Sequence, residues 1–376
     1  MKFFSAVCVV LLLLGAIAFA GMPPSNHVVL VVEENHSYSS VIGSSSMPYL
    51  NSLVAKYGLA TKYYANTHPS IGNYFMLTTG QIVTNDDSYT GVINVDDVVK
   101  HLQTAGKTWK SYAESLPYAG YTGGNTGYYM KRHNPFSYFS EVVNSSEKYN
   151  LVPFTQFPKD LANNQLPNFS FIVPNVVDDA HDGTLSQADA WLSKNIAPLL
   201  INATFQKDGV LVIVFDESTT SDTQGGGGHV AAVVIGPKVK SGYKSTATYQ
   251  HQSTLKSLLQ ALGLTSFPGA AENAPNMGEF FTTTTTTTTG KVTVTSPANN
   301  SAVSSPVHFA ATSTTSCSKG MSAIGIYSAP GQLAYWVGGA NLDHYLSLAP
   351  GTYNTTVQAW DNCSNAFKSF ITITVQ

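Results

Sequence analysis

Charge is what this sequence most clearly lacks. Asp, Glu, Lys and Arg make up 11% of its 376 residues, against roughly 25% in an average soluble protein. The formal net charge is −3, so the chain offers no basic surface for nucleic acid or for anionic lipid. We therefore expect no nucleic-acid partner, and Ser, Thr, Asn and Gly must supply most of the polar surface.

Cysteine is also scarce, with three residues in the chain. Cys8 lies in the N-terminal segment, which leaves Cys317 and Cys363 for the rest of the sequence. Two cysteines in an exported protein most often pair with each other. We therefore predict a disulfide between Cys317 and Cys363.

Long apolar runs are missing outside residues 1–20. That segment has a basic start at Lys2, an apolar core over residues 6–18 and small residues around its end, which together are typical of a secretory signal peptide. The core is short for a membrane span of about 20 residues, so export with cleavage is favoured over anchoring. We predict a secreted protein (extracellular, periplasmic or at the cell surface) whose mature chain has no transmembrane segment.

Threonine, in contrast, is concentrated in one place. Residues 282–289 are eight consecutive threonines, and Gly290 follows them. Such a low-complexity run is typical of an extended linker between domains. We predict a larger domain over residues 21–281, a Thr-rich linker over residues 282–290 and a smaller domain over residues 291–376.

The larger domain alternates short apolar runs with helical patterns. The runs at residues 27–33 and 209–215 are rich in Val and apolar on both faces, as expected of strands inside a parallel sheet. Helical patterns follow such strands along the chain, at residues 46–57, 94–104, 186–200 and 253–262. We predict an α/β fold with a mostly parallel sheet sandwiched by helices.

The smaller domain has a different pattern. Seven short alternating segments, separated by turn residues, follow one another between residues 291 and 375. This spacing and length favour an immunoglobulin-like β-sandwich, which the cysteine pair would cross-link. No group of acids or histidines in it suggests catalysis, so we assign it contact with a cell surface or with carbohydrate.

Three of the predicted strands run directly into acidic or amide residues. These residues are Glu34 with Asn35, residues 178–182, and Asp216 with Glu217. Ligands of open parallel sheets bind beyond the carboxyl ends of the strands, so we expect the three groups to meet at one edge. Ser70, which opens a helical segment after His68 and Pro69, would join them there.

Several carboxylates in one pocket need a counter-charge, because repulsion and desolvation oppose their ionisation. A divalent cation is the natural solution. Oxygen ligands suit Ca, Mg or Mn, and the nearby histidines leave Zn or Fe open. A bound cation would also make a serine hydroxyl nucleophilic, and the free N–H groups of a helix start suit a phosphate. The alternative for Ser70 is a helix cap, and for Glu34 and Asn35 a turn.

Further side chains are placed to assist Ser70. Asn73, three residues on, would aim its amide at the same oxygens. His181 lies in an Asp-rich cluster and His229 follows four glycines. Each of these two histidines would protonate a leaving oxygen or contact a phosphoryl oxygen.

These residues carry a resemblance to a known family. The segments at residues 34–37 (ENHS), 67–74 (THPSIGNY), 178–183 (DDAHDG) and 215–218 (FDES) resemble, in order and spacing, the phosphoesterase family. That family includes bacterial acid phosphatases and phospholipases C within the alkaline-phosphatase-like superfamily. The resemblance extends over roughly residues 26–265, includes the segments at 112–114, 133–136 and 251–264, and excludes the smaller domain.

The resemblance implies roles for particular residues. It implies a metal held by Glu34, Asn35, Ser70, Asp216 and Glu217, with Ser70 as the nucleophile that becomes phosphorylated. It further implies that Asn73, His133 and His251 contact the substrate phosphate and that His181 or His229 is the acid. The sequence departs from the family pattern at Ile71 and Gly72, where a bulkier residue and a proline are common. It also lacks the usual Asp before His229 and the prolines after it.

We therefore predict a secreted, metal-dependent phosphatase that hydrolyses phosphate monoesters, in small molecules or lipids, through a phosphoserine intermediate. The first alternative keeps the site and acts on phosphodiesters, as a phospholipase C does. The second is a non-catalytic surface binding protein. A sulfatase is disfavoured because the residues after Ser70 lack the Pro and Arg that a modified sulfatase nucleophile requires.

Overall fold

The computed structural model describes residues 21–282, 289–363 and 365–376. The predicted signal peptide, and most of the predicted Thr-rich linker, lie outside the described residues. The chain divides into two compact units, Met1–Thr283 and Thr284–Gln376. Among the described residues, no helix combines the length and the apolar character needed to cross a membrane.

The first unit is built on one eight-stranded sheet. Its strands are β1 (Val28–Glu33), β2 (Gly58–Tyr64), β3 (Trp109–Ala113), β4 (Leu151–Pro153), β5 (Phe169–Val173), β6 (Val210–Phe215), β7 (Ala232–Ile235) and β8 (Lys244–Gln250). Their order across the sheet is β4-β3-β5-β1-β6-β7-β2-β8. Among these described strands, only β7 runs antiparallel to its two neighbours. The predicted α/β fold with a mostly parallel sheet is therefore confirmed.

The helices of this unit cover both faces of the sheet. They are α1 (Tyr38–Val41), α2 (Pro48–Lys56), α3 (Ser70–Thr79), α4 (Val98–Thr104), α5 (Ser140–Val143), α6 (Phe157–Ala162), α7 (Leu185–Asn195), α8 (Ala197–Leu200), α9 (Phe205–Asp208) and α10 (His251–Ala261). Helix α3 packs against α10. Helix α2 packs against α7, where Asp189 accepts the N–H groups of Tyr49 and Leu50.

The predicted helices at residues 46–57 and 253–262 correspond to α2 and α10 within two residues at each end, and the other two differ more. The helix predicted from Asn94 begins only at Val98, because the Asp97 side chain accepts the free N–H groups of Val99 and Lys100 and is the stronger cap. The helix predicted over residues 186–200 is divided into α7 and α8. Pro198 lacks the N–H that a continuous helix would need.

The second unit is all β. Its strands are β9 (Gly290–Ser296), β10 (Ser301–Val303), β11 (Val307–Thr315), β12 (Met321–Ala329), β13 (Gln332–Gly338), β14 (Asn341–Leu346), β15 (Gly351–Asp361) and β16 (Ala366–Val375). They form a five-stranded sheet, β10-β16-β15-β12-β13, and a three-stranded sheet, β14-β11-β9. Buried apolar residues from both sheets form one core, as in a β-sandwich. The predicted disulfide between Cys317 and Cys363 is present.

Helix α3 ends at Gly80, a position that another residue cannot easily occupy. Gly80 has φ of 66°, and a Cβ there would lie 2.3 Å from the backbone oxygen of Pro268. We expect Gly80→Ala to lower the free energy of unfolding by about 1 kcal/mol through the left-handed backbone. The close backbone contact should cost about 1–3 kcal/mol more. Chemical denaturation of the full chain measures both.

Gly106 provides the matched control for this prediction. It also follows a helix with positive φ, 63°, but has nothing within 4 Å of an added Cβ. Gly106→Ala should therefore show the backbone effect alone. Equal losses of stability in the two variants would contradict the assigned contact with Pro268.

Candidate active site

The centre of the sheet brings two of the predicted acidic groups together. Strands β1 and β6 are parallel neighbours with Glu33 opposite Phe215, so Glu34 and Asp216 leave the sheet side by side. The Asn35 N–H donates to Asp216 Oδ1 over 3.1 Å, and Asn35 has a left-handed backbone conformation, with φ of 54°. The Glu34 N–H donates to the carbonyl oxygen of Asp179 over 2.9 Å, which brings in the segment after β5.

Ser70 lies in the middle of these groups. It is the first residue of α3 and is only 2% exposed. Its Oγ donates to Glu34 Oε2 over 3.0 Å and lies 3.4 Å from Glu217 Oε1. The hydroxyl does not cap its own helix, so the alternative of a helix cap has no support in these contacts.

Two histidines complete the site. The His133 ring is stacked on Tyr74, with ring centres 5.0 Å apart, and is almost fully buried. Its Nε2 lies 3.2 Å from Glu34 Oε1, and its Nδ1 lies 3.4 Å from Asp179 Oδ2. Each of Glu34, His133 and His181 offers a ligand atom within 4.8 Å of the others. We call Glu34, Asp179, Asp216 and Glu217 the carboxylate cluster.

Several buried polar atoms of the site have no hydrogen-bond partner among the described residues. Asn35 Oδ1 and Asp216 Oδ2 are two of them. Glu34 Oε1, Asp179 Oδ2 and His133 Nε2 form no hydrogen bond either, but they lie at the ion-pair distances of 3.2 and 3.4 Å given above. Buried polar atoms in proteins normally have a partner, and a bound ion often provides it where hydrogen bonds do not. Carboxylate, amide and imidazole groups are ligands that a divalent cation takes in proteins. The residue types present therefore fit a divalent cation, but among the described residues of the site the group with mutually close ligand atoms is Glu34, His133 and His181, of which only Glu34 belongs to the predicted ligand set.

The electrostatics of the carboxylate cluster point the same way. Burial, followed by the charge of Asp216, raises the pKa of Glu34 well above its usual value. Burial is also the first cause that raises the pKa of Asp216 to about 6 and that of Glu217 to about 9. Burial, with the charges of Arg132 and His181, holds the pKa of His133 well below its usual range. A cation would reduce the cost of ionising these carboxylates.

Asn73 and His251 are near the site but are held by its framework. The Asn73 side-chain oxygen accepts the N–H groups of Asn66 and Thr67, and its amide donates to the Thr67 carbonyl. The ring of His251 lies with Nε2 2.6 Å from the Asp216 carbonyl oxygen and Nδ1 3.2 Å from the Tyr63 hydroxyl. These contacts fix the segment before Ser70 and the backbone of Asp216.

His181 and His229 have different surroundings. His181 Nδ1 lies 2.8 Å from Asp182 Oδ1, and its Nε2 accepts from Arg132 Nη2 over 3.1 Å. His229 is stacked on Tyr38, with ring centres 4.2 Å apart. Its Nε2 lies 3.0 Å from the Thr61 carbonyl oxygen. His181 thus shares contacts with the site, whereas the ring contacts of His229 are with the wall of β2 and α1.

Four residues of the site have no individual role assigned to them from the sequence. Asp179 is expected at this edge as part of the acidic run of residues 178–182, but nothing distinguishes it from the other acids of the run. His68, just before Pro69 and Ser70, lies with Nδ1 2.7 Å from Glu217 Oε2. Arg132 lies in a basic trio among aromatic residues. Asp87 lies in a polar loop with no distinctive pattern, yet its Oδ1 accepts the Ile71 N–H over 3.2 Å.

The chain is similar to several known proteins. The phosphoesterase family profile matches residues 44–265. A phosphatidylinositol-3-phosphatase of Mycobacterium tuberculosis is 34% identical over 261 residues, which are 69% of this chain and 84% of the relative. A probable acid phosphatase of Kluyveromyces lactis is 34% identical over 243 residues, 61% of this chain and 56% of the relative. An acid phosphatase of Aspergillus fumigatus is 32% identical over 246 residues, 62% and 54%.

The chain thus spans only about half the length of these two fungal relatives. Among solved structures, the lipoteichoic acid synthase LtaP of Listeria monocytogenes aligns with a TM-score of 0.48 and 11% identity over 68% of this chain and 78% of that chain. A Vibrio parahaemolyticus protein in the alkaline phosphatase superfamily aligns with a TM-score of 0.47 and 11% identity, over 93% and 86%.

The raised pKa values predict how the metal-free protein responds to pH. A carboxyl group whose pKa is raised by folding stabilises the fold below its ordinary pKa, and this stability is lost as pH rises towards the raised value. Glu217, with a folded pKa of about 9, should therefore lower the thermal unfolding temperature of chelator-treated protein between about pH 7 and about pH 9. Below this window the buried His133 and His251, whose pKa burial lowers, act in the opposite sense.

Glu217→Gln is the control, because it removes the titrating group at nearly constant volume. Its unfolding temperature should depend less on pH over the same window. Added divalent cation should raise the unfolding temperature of the unaltered protein, and more so at the higher pH. An unfolding temperature that stays level or rises with pH in the chelated protein would contradict the assignment.

Proposed function

The chain belongs to the phosphoesterase family, hydrolases of phosphoric ester bonds, and from this premise we propose a metal-dependent phosphatase that cleaves phosphate monoesters through a phosphoserine intermediate. The observation that carries the proposal is the buried Ser70 hydroxyl, which donates to Glu34 within a cluster of carboxylates. A serine with a purely structural role would not require buried carboxylate oxygens that form no hydrogen bond around it.

The metal would be held by Glu34, Asn35, Ser70, Asp216 and Glu217. Buried oxygens of Glu34, Asn35 and Asp216 form no hydrogen bond among the described residues, which supports the assignment. His133 adjoins this set, with Nε2 3.2 Å from Glu34 Oε1 and Nδ1 3.4 Å from Asp179 Oδ2. A bound divalent cation supplies positive charge that favours the ionised serine and offsets charge on the phosphoryl oxygens.

Ser70 is the proposed nucleophile, and Glu34 receives its proton along the hydrogen bond that already joins them. The Ser70 Oγ bonds to phosphorus while the bond from phosphorus to the leaving oxygen breaks. Water then cleaves the phosphoserine and releases inorganic phosphate.

His181 is the proposed proton donor to the leaving oxygen, in the form in which Nε2 carries the proton instead of accepting from Arg132 Nη2. It contacts Arg132 and Asp182 at the edge of the site, whereas the ring of His229 contacts Tyr38 and the Thr61 carbonyl. We therefore assign His229 a structural role. Asn73 and His251 position the Ser70 segment and the Asp216 backbone, and His133 is the residue of the predicted phosphate-binding set that faces Glu34 directly.

The substrate is proposed to be a phosphate monoester, in a small molecule or on a lipid headgroup. The names of the relatives, a phosphatidylinositol-3-phosphatase and acid phosphatases, support cleavage of a terminal phosphate. A phospholipase C type diesterase is the second candidate, since the same nucleophile and metal would serve it. Export of the protein, and surface or carbohydrate contact by an immunoglobulin-like second unit, remain predictions.

Ser70→Ala tests the nucleophile. The variant should lose about a thousandfold or more of its activity on p-nitrophenyl phosphate, because the hydroxyl that forms the intermediate is removed. Acid-quenched reactions of the unaltered protein should yield a peptide phosphorylated on Ser70. The control is Ser52→Ala, which removes an exposed helical serine that bonds the Tyr49 carbonyl. Substantial turnover by Ser70→Ala would contradict the mechanism.

Chelation and a substrate pair test the metal and the ester class. Chelator-treated protein should lose activity on p-nitrophenyl phosphate and regain it when one of Ca, Mg, Mn, Zn or Fe is returned. The restored protein should prefer this monoester to bis(p-nitrophenyl) phosphate by about tenfold or more, which is about 1.4 kcal/mol in transition-state free energy. Preference for the diester would favour the second candidate, and full activity in chelator would exclude a metal requirement.

A further inference from the structure

The loop between α3 and α4, residues 81–97, folds back over the start of α3. Asn85 Nδ2 donates to Thr67 Oγ1 over 2.9 Å, close to the nucleophile. A Cβ added at Gly72 would lie 2.3 Å from Asn85 Oδ1 and 2.6 Å from Thr67 Cγ2. Because Gly72 has no side chain, Asn85 and Thr67 can approach its backbone, and the loop can pack over the start of α3.

This approach places the Asp87 carboxylate at the N-terminus of α3. Asp87 Oδ1 accepts the Ile71 N–H over 3.2 Å, and Oδ2 lies 3.6 Å from Arg132 Nε. Ile71 directly follows Ser70 in the first turn, where free N–H groups and the helix dipole favour an anion. Helix α3 has neither an acidic residue in its own first turn nor a side-chain cap. The anion at this helix end is thus supplied from another part of the chain.

Asp87 is also linked to His181 through Arg132. The guanidinium of Arg132, which it faces, donates through Nη2 to His181, the proposed acid. The Ile71 N–H and Arg132 are donors that a phosphoryl oxygen would also use. The Asp87 carboxylate occupies the position between them.

We propose that Asp87 is an internal competitor for the phosphoryl group. In the free protein its carboxylate takes the place of one non-bridging phosphate oxygen, between the Ile71 N–H and Arg132. The phosphate of the substrate displaces it and gains both donors, and its return after hydrolysis helps to expel inorganic phosphate. This inference rests on the proposed function, because it assigns the phosphate to the space beside Ser70.

Asp87→Asn tests the competitor role, because an amide keeps an acceptor for the Ile71 N–H while the negative charge is removed. The inhibition constant of inorganic phosphate and the KM for p-nitrophenyl phosphate should both fall about threefold or more, as expected when a nearby like charge is removed. The turnover number should stay level or fall, because product leaves more slowly. Asp87→Ser, a smaller neutral acceptor, should act in the same direction and serves if the first variant folds poorly.

Asp86→Asn is the matched control. It makes the same change of charge one residue away, at an exposed side chain that contacts Ser88. Its phosphate inhibition constant should stay near that of the unaltered protein. An equal fall in Asp86→Asn would show a general effect of net charge and would overturn the specific role of Asp87.

Phosphate binding without turnover separates this inference from the proposed function. Inorganic phosphate is titrated calorimetrically into Ser70→Ala and into Ser70→Ala with Asp87→Asn, both as full chains. Tighter binding to the double variant supports the competitor role. A lack of phosphate-ester hydrolysis by the unaltered protein would overturn only the proposed function. Unchanged binding would make Asp87 only a helix cap, and weaker binding would make it a ligand for phosphate; either result overturns the inference.

Discussion

The burial of four carboxylates around one serine hydroxyl is the constraint on which the rest of this site depends. Glu34, Asp179, Asp216 and Glu217 are each at most 4% exposed, and their ionisation in that position is costly without a counter-charge. The fold holds them there because β1 and β6 are adjacent at the centre of the sheet and the segment after β5 bonds to the Glu34 backbone. Buried carboxylates held close together destabilise the folded chain when they are ionised, and a bound cation would offset that cost.

The sequence is informative wherever local pattern and sheet geometry agree. Glu34, Asp216 and Ser70 are predicted to meet because they follow buried strands or open a helix at the same edge, and the structure brings them together. Asn73 and His251 lie near the site, but their bonds to the backbone cannot be predicted from spacing, since they depend on which groups the neighbouring turn leaves free. The contact of Asp87 with α3 depends on the path of a long loop, for which the sequence offers no periodic signal.

The histidines illustrate the same limit. His133 is implied only by the resemblance to a family, and its place between Glu34 and Asp179 follows from stacking on Tyr74, a contact between segments far apart in sequence. His229 is conspicuous because glycines precede it, yet its ring packs on Tyr38 and bonds the Thr61 carbonyl. Local context favours His229 over His133, and only tertiary packing reverses that order.

The reversed direction of β7 has a consequence for how this scaffold can vary. Because β7 is antiparallel to β6, the connection between Phe215 and Ala232 leaves and re-enters the sheet at the same edge, beside Asp216 and Glu217. A parallel connection would instead have crossed the sheet and entered the next strand at its opposite end. Insertions or deletions in this connection would change the chain beside Asp216 and Glu217 while every strand register stayed intact.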